Sequence, residues 1–277
     1  MTIDSHQHFW KYDPQKQPWI GEDMKAIARD FMPEDLKAVY QINQIDACVA
    51  VQAHQSLGET EFLLDLAQKN DFIKGVVGWV DLKALDIESV LNRYSGFEKL
   101  KGFRHVLQGE ADHNFMVRPD FLNGIAALQK YNFTYDILIF PHQLLAAVEL
   151  VSRFPNQKFI INHIAKPYIK DGFYKGWAVA LSAIGQYPNV YCKLSGMSTE
   201  ADYSSWTPEQ IEPYMQLALD AFGPERLLFG SDWPVSLLAA DYGKTKELVT
   251  NFIAKLSIKE QEAIMGGNAI QFYKLWI

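Results

Sequence analysis

Short apolar runs rich in β-branched residues recur along the whole chain, and the stretches between them carry apolar positions at helical spacing. The runs that read as strands are Thr2–Phe9, Ala47–Ala53, Gly75–Val80, Lys101–Val106, Thr134–Phe140, Lys158–His163, Val190–Leu194 and Leu227–Gly230. Their starts lie about 32 residues apart on average, which leaves room for one helix in each crossover. Pro141–Val151 opens with proline and aligns Leu144, Leu145, Val148 and Val151 on one face. Pro208–Phe222 does the same with Ile211, Met215, Leu219 and Phe222, and two further helices are predicted at Lys244–Leu256 and Lys259–Leu275. Eight strands alternating with helices predict a (β/α)8 barrel in one domain over residues 1–277. An open doubly wound sheet has the same alternation, but no glycine-rich turn follows the first strand to cradle a pyrophosphate. The irregular stretch Trp10–Met32, with Pro14, Pro18 and Trp19, is expected to lie across the barrel mouth as a wall or lid.

Composition narrows the partners. The 277 residues are 48% hydrophobic and 21% charged, ordinary values for a globular chain. A net charge of −7 argues against nucleic acid or an anionic membrane, because both need a basic surface. No run of eighteen apolar residues predicts a membrane span, and the first residues lack a basic and apolar leader. Cys48 and Cys192 sit inside apolar runs and read as reduced core thiols, so a cytoplasmic protein is expected. Small molecules remain as partners, and a homodimer is compatible with the pattern.

In such a barrel, chemistry collects at the C-terminal ends of the strands. His6, His8, His105 and His163 fall at or near predicted strand ends, and His54 and His142 follow one closely. His6 and His8 are spaced i, i+2, so both can point to one face of the first strand. Together with His163 and with Asp232, after the last strand, they suit a metal-assisted or acid–base hydrolytic centre. Arg104 and His105 are adjacent, so only one of them can face the mouth while the strand continues; Arg104 could grip a carboxylate bidentately. Lys193 lies in an apolar strand, where a lysine is costly unless paired, and reads as functional or ion-paired. Gln52, His54 and His142 are candidate hydroxyl-binding groups, and Trp233 is a candidate for stacking on a sugar-like ring.

His6-Gln7-His8, Asn162-His163 with Lys166-Pro167, the run Gly223-Pro224-Glu225-Arg226 through Gly230-Ser231-Asp232-Trp233-Pro234, and Gly267-Asn268-Ala269 resemble the amidohydrolase superfamily. More closely, the sequence resembles its branch of sugar-lactone and pyrone-dicarboxylate lactonases, with Val51-Gln52, Glu59-Thr60, Gly102-Phe103-Arg104 and Tyr135-Asp136 matching in kind and order. The resemblance implies a barrel hydrolase in which His6, His8, His163 and Asp232 form the core site and Asp232 activates water. Asp136 stands on the middle strand where many members supply a bridging lysine or glutamate, and the strand bearing Lys193 offers no histidine. A two-metal site is therefore not expected. One zinc on His6, His8, His163 and Asp232, or none, fits the resemblance.

The function expected is opening of a sugar lactone to its aldonic acid. Few arginines lie near the predicted mouth, which favours a neutral lactone over a pyrone dicarboxylate. A zinc-dependent decarboxylase of the same superfamily and a non-catalytic sugar- or metal-binding barrel are the rival readings.

Overall fold

The computed structural model describes residues 1–277. Eight parallel strands, β1 (Ile3–Gln7), β2 (Ala47–Val51), β3 (Ile73–Gly78), β4 (Leu100–His105), β5 (Thr134–Ile137), β6 (Phe159–Ile161), β7 (Val190–Leu194) and β8 (Leu227–Phe229), pair in sequence order. Ser5 Oγ donates to Phe229 O at 2.6 Å, and Asp232 N donates to His6 O at 2.8 Å. A parallel bridge between Gln7 and Trp233 completes the seam from β1 to the turn after β8, giving a (β/α)8 barrel. No helix is long and apolar enough to cross a membrane.

Alternation along the strands sorts two cores. Cys48 and Ala50 face outward into the large core beneath the helices, whereas Val49 and Val51 face the barrel axis with Val77, Ile160 and Leu228. The final helix, Asn268–Tyr273, plugs the lower end through Ala269, Phe272 and Tyr273, with Leu275 behind them. The helix expected at Lys259–Leu275 forms without a gap from Ile258 to Tyr273, with a π segment at Ala263–Gly267 between Ile258–Glu262 and this short plug. Gly266 packs where a Cβ would lie 2.3 Å from Met1 O, so its missing side chain lets the chain start pass closely beneath the barrel.

Seven of the eight strands end one to three residues earlier than expected, and at β6 this matters for the site. β6 stops at Ile161, and His163, Ile164, Ala165 and Lys166 then form a left-handed turn with φ of 54°, 45°, 59° and 47°. Each non-glycine residue in that region costs on the order of 1–2 kcal/mol. Trp177 Nε1 donating to Ile164 O at 2.7 Å and Lys166 N donating to His163 O at 2.8 Å hold the turn. Asp232 also has positive φ, 57°. The segment Trp10–Met32 crosses the mouth, anchored by the Trp10–Phe31 bridge and containing a short 3-10 helix at Glu22–Ile27.

Candidate active site

The C-terminal ends of the strands surround a cavity of about 390 Å³, within the roughly 300–1,000 Å³ range of small-molecule sites. His8, His163, Asp232 and Arg104 form its floor, and Trp19 and Met24 from the Trp10–Met32 segment form part of its wall. Asp232 Oδ1 is the focus: His8 Nε2 lies 3.3 Å away, His6 Nε2 3.7 Å and His163 Nε2 3.8 Å. The geometry follows from barrel closure. The seam hydrogen bond from Asp232 N to His6 O fixes the carboxylate beside β1, and the left-handed turn after β6 swings His163 inward.

The neighbours of each ring define what it can do. His8 Nδ1 donates to Val51 O at 2.7 Å, which turns its Nε2 toward Asp232 Oδ1. His163 Nδ1 is 2.9 Å from Ser195 Oγ. Burial pushes His163 down to about 3 and holds His6 well below its ordinary value, with the nearby Lys193 charge adding to the effect on His6. Both rings are neutral at neutral pH. Burial raises the Asp232 carboxyl, but the groups around it, the Lys166 cation and His8 among them, lower it by more, so it is ionised there. One carboxylate acceptor thus faces three imidazoles.

Below the floor, Arg104 and Asp136 share a register across β4 and β5, and both point to the axis with Lys193 of β7. Lys193 Nζ donates to Asp136 Oδ2 at 2.6 Å with both side chains fully buried, and it also sits 3.2 Å from His6 Nδ1. Asn162 Nδ2 and Tyr273 OH each donate to Asp136 at 3.0 Å. Arg104 Nη1 lies 3.3 Å from both His6 Nε2 and Asn162 Oδ1, and Nη2 donates to the Gln52 carbonyl. Burial lowers the guanidinium to about 10, so it stays cationic at neutral pH. Gln52 is spent on this bracket, returning Nε2 to Arg104 O at 3.1 Å.

The structure does not bring every sequence candidate to the cavity. His105, next to Arg104, faces outward by strand alternation; it meets Glu110 at 2.6 Å and stacks on Phe115. His142 is exposed and pairs with His113 at 4.2 Å between ring centroids, near Tyr168 OH. His54 is half-buried beyond the end of β2 and lines no part of the cavity. Trp233 is 2% exposed and packs edge-on against Phe31 and Phe9 under the Trp10–Met32 segment. Lys193, Asp136 and Gln52 lie beneath the floor. Sequence reasoning assigned nothing to Lys166, Glu200, Tyr203 and Gln108, which line the upper wall. Lys166 Nζ and Glu200 Oε1 are 2.6 Å apart, so the wall carries a neutralised pair. The Lys166-Pro167 dipeptide was the one legible sign of this wall.

Two tests follow from this packing. A Cβ at Gly196, whose φ is 60°, would lie 2.5 Å from His163 Nδ1 and 3.2 Å from Asp232 Oδ2. Gly196→Ala should therefore displace His163 and lower kcat at least about tenfold in a folded protein, since small misplacements cost up to about 100-fold. Unchanged kcat with an unchanged melting curve would refute that packing. The second concerns acid. Folded-state values of His6 and His163 lie below their unfolded value near 6.5, so their stabilisation is full above that pH and declines as pH falls. Each contributes a slope of about 1.4 kcal/mol per pH unit between 6.5 and its folded value. Asp4, raised by burial, opposes them. Denaturant unfolding with chelator should show stability falling from pH 6.5 to 5, with a shallower slope in His163→Asn; a flat profile would contradict the buried neutral rings.

The donor set also meets the test for a divalent ion. His6, His8 and Asp232 each offer a ligand atom, all within 4.8 Å of one another, and the carboxylate is ionised while the His6 ring is neutral.

The sequence model of the amidohydrolase family matches residues 3–275. The chain belongs to the amidohydrolase family. It is 41% identical to an L-fucono-1,5-lactonase of Burkholderia multivorans over 99% of this chain and 96% of that protein. A second L-fucono-1,5-lactonase, from Burkholderia ambifaria, is 36% identical over 99% of this chain and 95% of its own length. Among solved structures, an amidohydrolase from Burkholderia multivorans with bound zinc superposes with a TM-score of 0.95 at 41% identity, covering both chains fully.

Proposed function

We propose that this protein hydrolyses the ring ester of a neutral sugar lactone of the L-fucono-1,5-lactone class, giving the open aldonic acid. The observation that carries the reading is one ionised carboxylate, Asp232, ringed by three imidazoles beside the Arg104 cation at the floor of a cavity. Two full-length relatives named as lactonases support the substrate class. So does the wall, where Lys166 and Glu200 cancel each other and leave polar groups suited to hydroxyls rather than to a substrate carboxylate.

In this reading Asp232 Oδ1 accepts a proton from water as the water oxygen bonds to the lactone carbonyl carbon. His8, His163 and the Arg104–His6 pair face the oxygen on which negative charge develops. As the ring C–O bond breaks, Asp232 returns the proton to the departing hydroxyl, and the new acid then ionises. General base action of this kind is worth about 10²–10⁴-fold, and one oxyanion donor about 2.7–4 kcal/mol. Lys193 and Asp136 act as positioning residues, holding the His6 ring from its Nδ1 side. We further infer that His6, His8 and Asp232 can hold one zinc, with His163 beside them. Such an ion would supply Lewis acidity toward the carbonyl.

Acid release from L-fucono-1,5-lactone and other aldonolactones, measured with a pH indicator and corrected for spontaneous hydrolysis, tests the reading. Saturable turnover is expected. No turnover of any lactone, with or without added zinc, would overturn it. Loss of rate with chelator and recovery with zinc would place the ion in the reaction; a rate indifferent to chelator would assign the polarisation to the side chains.

A further inference from the structure

The opposite end of the barrel holds a second cavity, of about 290 Å³, walled by the lower ends of β4, β5 and β6 and by the segment after the final helix. Three lysines line it: Lys101 on β4, Lys158 just before β6, and Lys274 after the last helical turn. None of them forms an ion pair. Lys101 Nζ donates to Lys274 O at 3.0 Å, and Lys158 Nζ stands 5.8 Å from the Phe272 ring centre. Glu98 at the rim is exposed, and it is the one acidic residue in the lining. Elsewhere in this chain of net charge −7, many basic side chains are matched, as in Lys130–Glu88, Lys170–Asp202 and Lys166–Glu200.

Like charges gather at a concave site only at a cost. Burial, with Lys274 nearby, lowers both Lys101 and Lys158 from the ordinary lysine value. An anion seated among them would remove that repulsion. The rim adds neutral donors, the carboxamides of Gln129, Asn132 and Asn156, and the aromatic rings of Phe272 and Tyr273 close one wall. This combination of ammonium groups outside any ion pair, carboxamides and a small concave volume suits an oxyanion on a small polar molecule.

We propose that the lysine-lined cavity at the lower end of the barrel binds a small oxyanion, separate from the candidate active site. Two sources share that chemistry: inorganic phosphate, and the carboxylate of an aldonate. The aldonate rests on the lactonase reading, since it would be the reaction product; phosphate does not.

Calorimetric titration at constant ionic strength, with phosphate in one arm and L-fuconate in the other, tests this on the full chain. The wild type and Asp232→Asn should bind one of the two anions with equal affinity. Lys101→Gln/Lys158→Gln should weaken that binding by about tenfold or more, equivalent to about 1.4 kcal/mol. Lys101→Arg/Lys158→Arg should retain it, which separates charge from shape, and thermal melts confirm that both variants fold. The arm that saturates identifies the source. Absence of saturable binding in both arms, or binding that Asp232→Asn abolishes and the double glutamine variant leaves unchanged, would overturn the proposal. Either failure leaves the lactonase reading intact, because turnover is measured at the other cavity.

Discussion

Asp232→Asn is expected to lower kcat by about 10²–10⁴-fold while leaving the melting curve close to that of the wild type. The amide keeps the size of the carboxylate and can keep the seam, because the bond closing it runs from the Asp232 backbone N to His6 O. It cannot accept the water proton. The three imidazoles at 3.3, 3.7 and 3.8 Å then face a neutral group, and the developing charge loses the acid that would discharge the ring oxygen. KM should change far less than kcat, because the wall residues that would hold the hydroxyls are untouched. A variant with near-normal turnover would remove Asp232 from the role of base.

Lys193→Met should cost about 3–5 kcal/mol of folding stability, the usual penalty for breaking a buried ion pair by deleting one partner. Asp136 would stay fully buried with Asn162 and Tyr273 as its remaining donors. Lys193→Met/Asp136→Leu removes the stranded charge as well and should recover most of the loss. Activity separates the two roles of the pair. The double variant should fold well yet remain impaired in kcat, since His6 no longer has Lys193 at 3.2 Å from Nδ1. Denaturant unfolding and kcat measured on both variants decide the matter. Equal destabilisation in the single and double variants would contradict the stranded-charge account, and full activity in the double variant would contradict positioning of His6.

The barrel was legible because short apolar runs, most of them holding β-branched residues, recur at a spacing that leaves room for a helix, and stripes such as those of Pro141–Val151 and Pro208–Phe222 fill it, all local properties of the chain. His6 and His8 could be assigned to one face by the two-residue period of a strand, and Arg104 and His105 to opposite faces by the same rule. That rule could not say which of the latter pair faces the axis. The register of β4 with β5 decides it, placing Arg104 beside Asp136 and sending His105 out to Glu110. His142, read from its place after a strand, lies exposed beside His113, because the direction of a loop is set by what it packs on.

The sequence by itself determined the eight-fold alternation and brought His6, His8, His163 and Asp232 to notice as residues at strand ends, because period and punctuation are written in neighbouring residues. Tertiary structure alone decided how far apart those side chains stand. The seam between β1 and the turn after β8, the left-handed turn from His163 to Lys166, and the Lys166–Glu200 wall join residues that are distant along the chain or held against their local preference. Such distances arise from closure of the sheet and from the packing that sustains strained backbone, neither of which a local pattern encodes.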